Sequence, residues 1–589
     1  MQSVLSRVQD FFSLDTLDER LSSPGNDSRR KAKTSPQPPS RWSSMEYKIY
    51  WGILIVVLPL LLKGGMDATN SWNPNYYKFE HLLSKGWMFG RKVDNSDAQY
   101  RFFRDNIPLL MGLMSLHLII KKLVLRLTNV EKVKFDFWFG LIFLVGAHGV
   151  NSLRVLFHMM VMFSLAKIFK RQRPLATACV WIYGVGSLFI NNSYRNLPFG
   201  QILPILKPLD GSYTGIIARW DVFYNFTLLR AISFDMDFLE RWTNIHVSPS
   251  ATPPPTSSVS PERFELKRAS STQVLETIEE NASKPVLLDD RARLSAPHHI
   301  QEYSLARYIA YVTYTPLFIA GPILTFNDYL YQTYHELPSI NYKRIGKYAF
   351  RLLFCLFVME FLLHFVYVVA VSKTKAWTND TPFQISMIGL FNLNLIWLKL
   401  LIPWRFFRLW ALLDGIDAPE NMIRCMDNNY SPVSFWRAWH RSYNKWIVRY
   451  IYIPLGGSSN RILTSLAVFS FVAVWHDIEL RLLFWGWLVV LFLIPEVVLS
   501  KYFNAYSKEP WYRYACGCGA ILNIWMMITA NLYGFCLGSD GMYLFFKEMF
   551  GTFDGLVFFV VANCALFVHV QLMFELRAEE MRHGIYVKC

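Results

Sequence analysis

Charge is scarce in this chain. Asp, Glu, Lys and Arg make up 18% of its 589 residues, against about 25% in an ordinary soluble domain. Hydrophobic residues reach 53% and mean hydropathy is positive. Length alone would suggest several soluble domains. The composition instead points to a polytopic membrane protein. The little charge present is lopsided: 60 Lys and Arg face 44 Asp and Glu, a net +16. That excess suits basic loops beside anionic lipid headgroups. The basic residues lie mostly between apolar runs and form no nucleic-acid motif, which excludes nucleic acid as a partner.

Other absences narrow the reading further. The eight cysteines are scattered, and Cys516 and Cys518 form a C-x-C pair with no second pair to complete it. Neither a disulfide framework nor a metal site is expected. No secretory signal is present, because the first apolar run begins after Tyr47. No internal repeat is visible, which disfavours a carrier-type transporter. Positive-inside counting fixes no orientation, since most loops carry Lys or Arg. The sequons at Asn26, Asn191, Asn225, Asn281 and Asn379 lie in regions that cannot all face one side.

What is present divides into four stretches. Residues 1–44 read as a disordered polar tail. Residues 45–245 hold the first spans: Ile49–Leu62, Ile107–Leu125, Phe135–Val150, Leu153–Phe169 and Thr177–Ile190. His148, Asn151, Arg154 and His158 add polarity at membrane depth, either lining a cavity or bonding between helices. The segment from Gly215 to Glu240 is apolar but interrupted by Arg219, Asp221 and Arg230, so it reads as in-plane or re-entrant. Residues 246–300 are rich in Pro, Ser and Thr and read as a flexible loop. Residues 301–589 resume the spans at Tyr303–Leu324, Tyr348–Val371 with Glu360 and His364 on one face, Ile385–Leu401, Arg405–Leu413, Leu482–Leu499, 519–537 and 555–574. At about 20 residues per span the fold is all-α, with about ten to twelve transmembrane helices plus re-entrant segments.

The chemistry concentrates in residues 430–480. On a helix from Trp436 to Tyr450, Arg437, Arg441, Lys445 and Arg449 recur every four residues and form one cationic stripe. Trp436, Trp439, Tyr443, Trp446, Ile447 and Tyr450 fill the other side, with His440 and Asn444 on the border. Two readings are open: a membrane-surface anchor, or a site for a phosphate-bearing cofactor. Pro454, Gly456 and Gly457 then turn the chain. The next apolar run delivers His476. An imidazole there is either an interfacial histidine bonded to a carbonyl, or a group facing a pathway and able to take a proton from a hydroxyl.

The stretches FWRAWHRSYNKWIVRYIYIPLGG and VAVWHDIEL resemble the paired signature of the membrane-bound O-acyltransferase family. Longer stretches, among them FGRKVDNSDAQYRFFRDN, YIAYVTYTPLFIAGPI and ENMIRCMDNNYSP, are similar to its fungal members implicated in glycerol uptake and GPI-anchor lipid remodelling. The resemblance runs from about Trp42 to Cys589. It implies a helical bundle around a central tunnel, in the endoplasmic reticulum membrane or, alternatively, the plasma membrane. It implies His476 as general base, and His440 at a position where members carry His, Asn or Asp, orienting the thioester. Arg437, Arg441, Lys445, Arg449 and Asn444 would hold acyl-CoA as donor, with no metal. The implied partners are membrane lipids and, as acceptor, the lyso-form of a GPI anchor that receives a very long acyl chain. The alternatives are glycerol–proton transport and acylation of a secreted peptide.

Overall fold

The computed structural model describes residues 14–21, 38–217, 219–246, 287–296, 298–583, 585 and 587. Most of the 246–300 loop lies outside the described residues. Those described are almost wholly helical, with one two-stranded antiparallel ribbon pairing Leu83–Lys85 and Lys92–Asp94.

The helices that build the bundle are α1 (Met45–Thr69), α2 (Ile107–Leu127), α3 (Lys132–His148), α4 (Ser152–Ile168), α5 (Arg173–Tyr194), α6 (Trp220–His246), α7 (Tyr342–Phe365), α8 (Pro382–Leu413), α9 (Pro432–Ala438), α10 (Arg441–Ile447), α11 (Arg461–His476), α12 (Leu480–Phe503), α13 (Tyr512–Asn531) and α14 (Phe553–Arg582). Among the described residues, nine helical segments are long and apolar enough to cross a membrane, α3 and α4 counting as one from Lys132 to Ile168. Their outer faces carry exposed aliphatic and aromatic side chains such as Ile55, Leu116, Ile142, Ile182, Leu353 and Leu491. In a membrane, lipid tails cover such faces.

Local chemistry sets the ends of α8, the longest helix. Thr381 caps its N-terminus in a capping box with Gln384, and Pro382 occupies the first turn. Gly415 takes a left-handed conformation just past the end, with φ +89°. Ile416 N–H then donates back to the Ala411 carbonyl at 2.8 Å. This turn presents Asp417 to Arg424 at one face of the bundle. Gly149 and Gly215 make a second required turn. Both have positive φ, and a Cβ on either would collide with backbone across the contact. The close approach lets Ala147 accept from Ile217 N–H at 2.9 Å, which brings residues 213–217 against the end of α3.

The segment expected in-plane or re-entrant is α6, a continuous helix of 27 residues and about 40 Å, which is not among the described helices long and apolar enough to cross a membrane. Several of its charges are paired within the protein. Asp221 bonds Arg219 at 2.9 Å, and Arg230 donates to the carbonyls of Val312, Leu317 and Phe318. Asp237 accepts from Arg449 at 3.0 Å and from Tyr450 at 2.9 Å. The expected span Tyr303–Leu324, read with a turn at TPLFIAGP, forms two short helices, Leu305–Val312 and Thr315–Phe318, and no spanning helix. Pro316 and the Gly321–Pro322 step prevent a continuous helix, and Arg230 takes up the carbonyls thus freed.

Residues 14–21, expected inside a disordered tail, also dock. Leu17 and Leu21 are buried, and Asp18 is fully covered.

Candidate active site

The single amphipathic helix expected over Trp436–Tyr450 is broken at its centre. α9 ends at Ala438 and α10 starts at Arg441, with His440 between them in the left-handed region at φ +46°. Asn421 holds the break open. Its carbonyl accepts from Arg441 N–H at 3.1 Å, and its side-chain oxygen accepts from Ser442 N–H at 3.1 Å. The Ser442 hydroxyl accepts from Ile323 N–H at 2.8 Å. The three residue types expected at this position, His, Asn and Asp, are the non-glycine types that most readily take this conformation. The His440 ring then stacks on Trp404, with centroids 4.6 Å apart. Its Nε2 is buried without a partner among the described residues. Burial keeps the imidazole neutral, its pKa pushed down to about 3, and charge on nearby His476 acts in the same direction.

His476 ends α11, and its neighbour Trp475 anchors it. The Trp475 carbonyl accepts from Asn225 Nδ2 at 2.7 Å, and Trp475 Nε1 donates to the Asn225 carbonyl at 2.9 Å. Asn225 thus satisfies a carbonyl that the end of α11 would otherwise leave unpaired. The sequon at Asn225 is therefore spent on an internal contact. The His476 ring sits edge-on to Trp475 at 4.8 Å. His476 is exposed and lines two cavities.

Those cavities meet at the histidines. One, of about 330 Å³, is lined by Arg437, Asn444, Tyr443, Trp485, His440 and His476. The other, of about 930 Å³, runs along α2, α3, α6 and α8 past Leu113, Ile142, Phe223 and Trp404. It is almost wholly apolar and ends at the same two imidazoles. Tyr443 Oη and Trp485 Nε1 are buried donors without partners among the described residues. Both line the smaller cavity. Nothing in the sequence marked Tyr443, Trp485, Trp404 or Asn225, since aromatic and amide residues are common in membrane helices.

The cationic stripe does not act as a unit. Arg437 is exposed and edges the smaller cavity, and Asn444 lines it. Arg441 bonds Asp18 at 2.8 Å, Lys445 bonds Asp290 at 3.2 Å, and Arg449 bonds both Asp237 and Glu240 at 3.0 Å. Of the polar groups singled out on α3 and α4, His158 bonds Tyr183 and Asn191, and Arg154 bonds carbonyls at residues 194–197; both ring nitrogens of His148 are buried without a hydrogen-bond partner among the described residues. His364 accepts from Trp87 N–H and ties the ribbon to α7. Among the described residues, His117, Asp136 and Asp414 bring metal-ligating atoms together. The Lys121 ammonium sits between both carboxylates at 2.7 Å and supplies the cation there.

A helical membrane bundle with paired histidines where a cation-edged cavity meets an apolar one defines a class of lipid-handling enzyme. The sequence model of the MBOAT, membrane-bound O-acyltransferase family matches residues 175–539. The chain belongs to this family and is a multi-pass membrane O-acyltransferase. It is 58% identical over 587 residues to Membrane-bound O-acyltransferase GUP1 of Saccharomyces cerevisiae, covering 100% of both chains. It is 51% identical to Membrane-bound O-acyltransferase GUP2 of the same yeast, over 95% of this chain and 90% of that one. A shorter likeness, 30% over 176 residues, links 28% of this chain to 35% of mouse Protein-cysteine N-palmitoyltransferase HHAT.

Proposed function

We propose that the enzyme transfers an acyl group from acyl-CoA to a lipid hydroxyl, with the lyso-form of a GPI anchor as acceptor and the endoplasmic reticulum membrane as its place. The observation that carries this reading is that His440 and His476 line both cavities. A donor and an acceptor bound one in each would meet only there. The smaller cavity takes the donor, its polar part toward Arg437. The apolar cavity takes the lipid acceptor. His476 removes the hydroxyl proton as the oxygen attacks the thioester carbonyl, a role worth about 10²–10⁴-fold. The carbon–sulfur bond breaks, and the thiolate leaves and collects the proton from His476. Neutral His440 and the free Tyr443 and Trp485 donors stand where charge develops on the carbonyl oxygen. The GPI-lipid acceptor and the compartment rest on the resemblance to the fungal members.

The test is an acceptor panel. Purified enzyme in nanodiscs receives labelled long-chain acyl-CoA and, separately, a lyso-GPI lipid, a lysophospholipid or a peptide. Label in the lyso-GPI lipid alone is expected. The local likeness to the mouse palmitoyltransferase favours a peptide acceptor as the second reading, and label in the peptide alone would establish it.

A further inference from the structure

The cation that the sequence would assign to the cofactor, Arg441, has a partner from the far end of the chain. Asp18 is fully buried. Its Oδ2 accepts from Arg441 at 2.8 Å and from the Glu420 backbone N–H at 3.2 Å. Its Oδ1 accepts from Arg20, at 3.1 Å from both the backbone N–H and the guanidinium. Arg408 donates to the Leu17 carbonyl at 3.0 Å, and Arg20 reaches Asp417. One carboxylate thus lies among three arginines, with Lys445 also close enough to act on its charge.

That cluster has more positive charge than it contains carboxylate. On the bundle side, among the described residues, the ion-pair partners of Arg344, Arg405 and Arg408 are Asp417 and Glu420, while Arg441 pairs with Asp18 of the segment. Without the segment the excess is two charges, four minus two. The Asp18 carboxylate occupies the position between Arg441 and the Glu420 backbone N–H that an external anion would take. A phosphate monoester, at about −1.5 to −2, offers the same acceptors with more charge, and guanidinium binds phosphate with matched geometry. The location fits a donor: Arg441 directly follows His440, and on α10 it lies about 60° round from Asn444, which lines the smaller cavity.

We propose that Arg441 and the Glu420 backbone N–H, flanked by Arg408 and Lys445, form a phosphate site for the acyl donor, and that Asp18 holds it in cis. Residues 14–21 are then a competitive plug, and donor binding displaces them. This rests on the donor reading above.

The experiment measures CoA binding by calorimetry, using the full chain in neutral-lipid nanodiscs. Asp18→Asn removes the competing charge and leaves Arg441 and the packing of Leu17 and Leu21 in place. Arg20→Gln removes the guanidinium bonds to Asp417 and to Asp18 Oδ1 and leaves the Asp18 Oδ2–Arg441 bond in place. Both variants are checked for unchanged elution and a cooperative thermal transition. The expected result is tighter CoA binding by about tenfold for Asp18→Asn, the factor for a segment docked nine-tenths of the time, and a smaller gain for Arg20→Gln. Equal affinity overturns the plug. Weaker affinity overturns it too, since Asp18 would then be helping to build the donor site. A second arm repeats the titration in nanodiscs with anionic lipid. A gain confined to lipid retention, with CoA unchanged, overturns the donor assignment in favour of a headgroup. If the parent protein itself binds no CoA, the donor reading and the plug fall together. If the parent binds CoA and the variants match it, only the plug falls.

Discussion

Asn225→Ala tests how His476, the proposed base, is held. Its Nδ2 donates at 2.7 Å to the Trp475 carbonyl, in the last turn of the helix that ends at His476. Truncation removes that bond and leaves a carbonyl unpaired beside buried Trp475. A lost neutral hydrogen bond costs about 1 kcal/mol net, and an unsatisfied buried group about 1–3 kcal/mol. The Trp475 Nε1 bond to the Asn225 backbone carbonyl survives the substitution, so the helix should stay docked. The global effect should therefore be modest, about 1–3 kcal/mol. The catalytic effect should be larger in proportion, because a shift of about 1 Å in a reacting group costs on the order of 10²-fold. The assay pairs kcat for labelled acyl transfer in nanodiscs with the thermal midpoint of the same sample. A loss in kcat of about 10²-fold with a small drop in midpoint supports the reasoning. A lowered midpoint with kcat within about twofold of the parent would refute it, and Asn225 would then be only a structural contact.

Three further outcomes follow from the geometry. Arg437→Ala should raise the KM for acyl-CoA with little change in kcat, and an unchanged KM would remove Arg437 from the donor cavity. Tyr443→Phe should lower kcat by about tenfold or more while leaving the thermal midpoint near the parent value, since its hydroxyl has no partner to lose; an unchanged kcat would take it out of the reaction. Burial raises the carboxyl pKa values of Asp18 and Asp417, but Arg20 and Arg408 outweigh burial at both, joined by Arg441 at Asp18, so both end below the usual range. The stability these pairs supply is thus complete above about pH 4 and lost as pH falls further. Thermal midpoints should drop on acidification below about pH 4, less steeply in Asp18→Asn; a midpoint that rises there would contradict the ion-pair account.

Most of the spans were readable in the sequence because long apolar runs have few alternatives. Both histidines were readable as motif residues. The break at His440 was not. The four-residue spacing of Arg437, Arg441, Lys445 and Arg449 fits a continuous helix, and no Gly or Pro interrupts it. What breaks it is tertiary: Asn421, nineteen positions upstream of His440, takes the N–H groups of Arg441 and Ser442. The same limit hides the role of Arg230 on α6, whose carbonyl partners in the broken turn at residues 312–318 are visible only in the fold. It explains residues 14–21 too, since two leucines and an aspartate carry no local signal for docking on arginines some 400 positions away.

The central claim is that His440 and His476 join donor and acceptor at one point, and the most direct measurement is acyl transfer by the parent protein against His476→Ala. Purified protein receives labelled acyl-CoA and a lyso-GPI lipid, and a parallel sample in proteoliposomes is tested for glycerol uptake. The account predicts robust transfer by the parent, a loss of at least about 10²-fold in the variant, and no accumulation of glycerol. Transfer that survives intact in His476→Ala, or glycerol accumulation by a parent protein that transfers nothing, would contradict it.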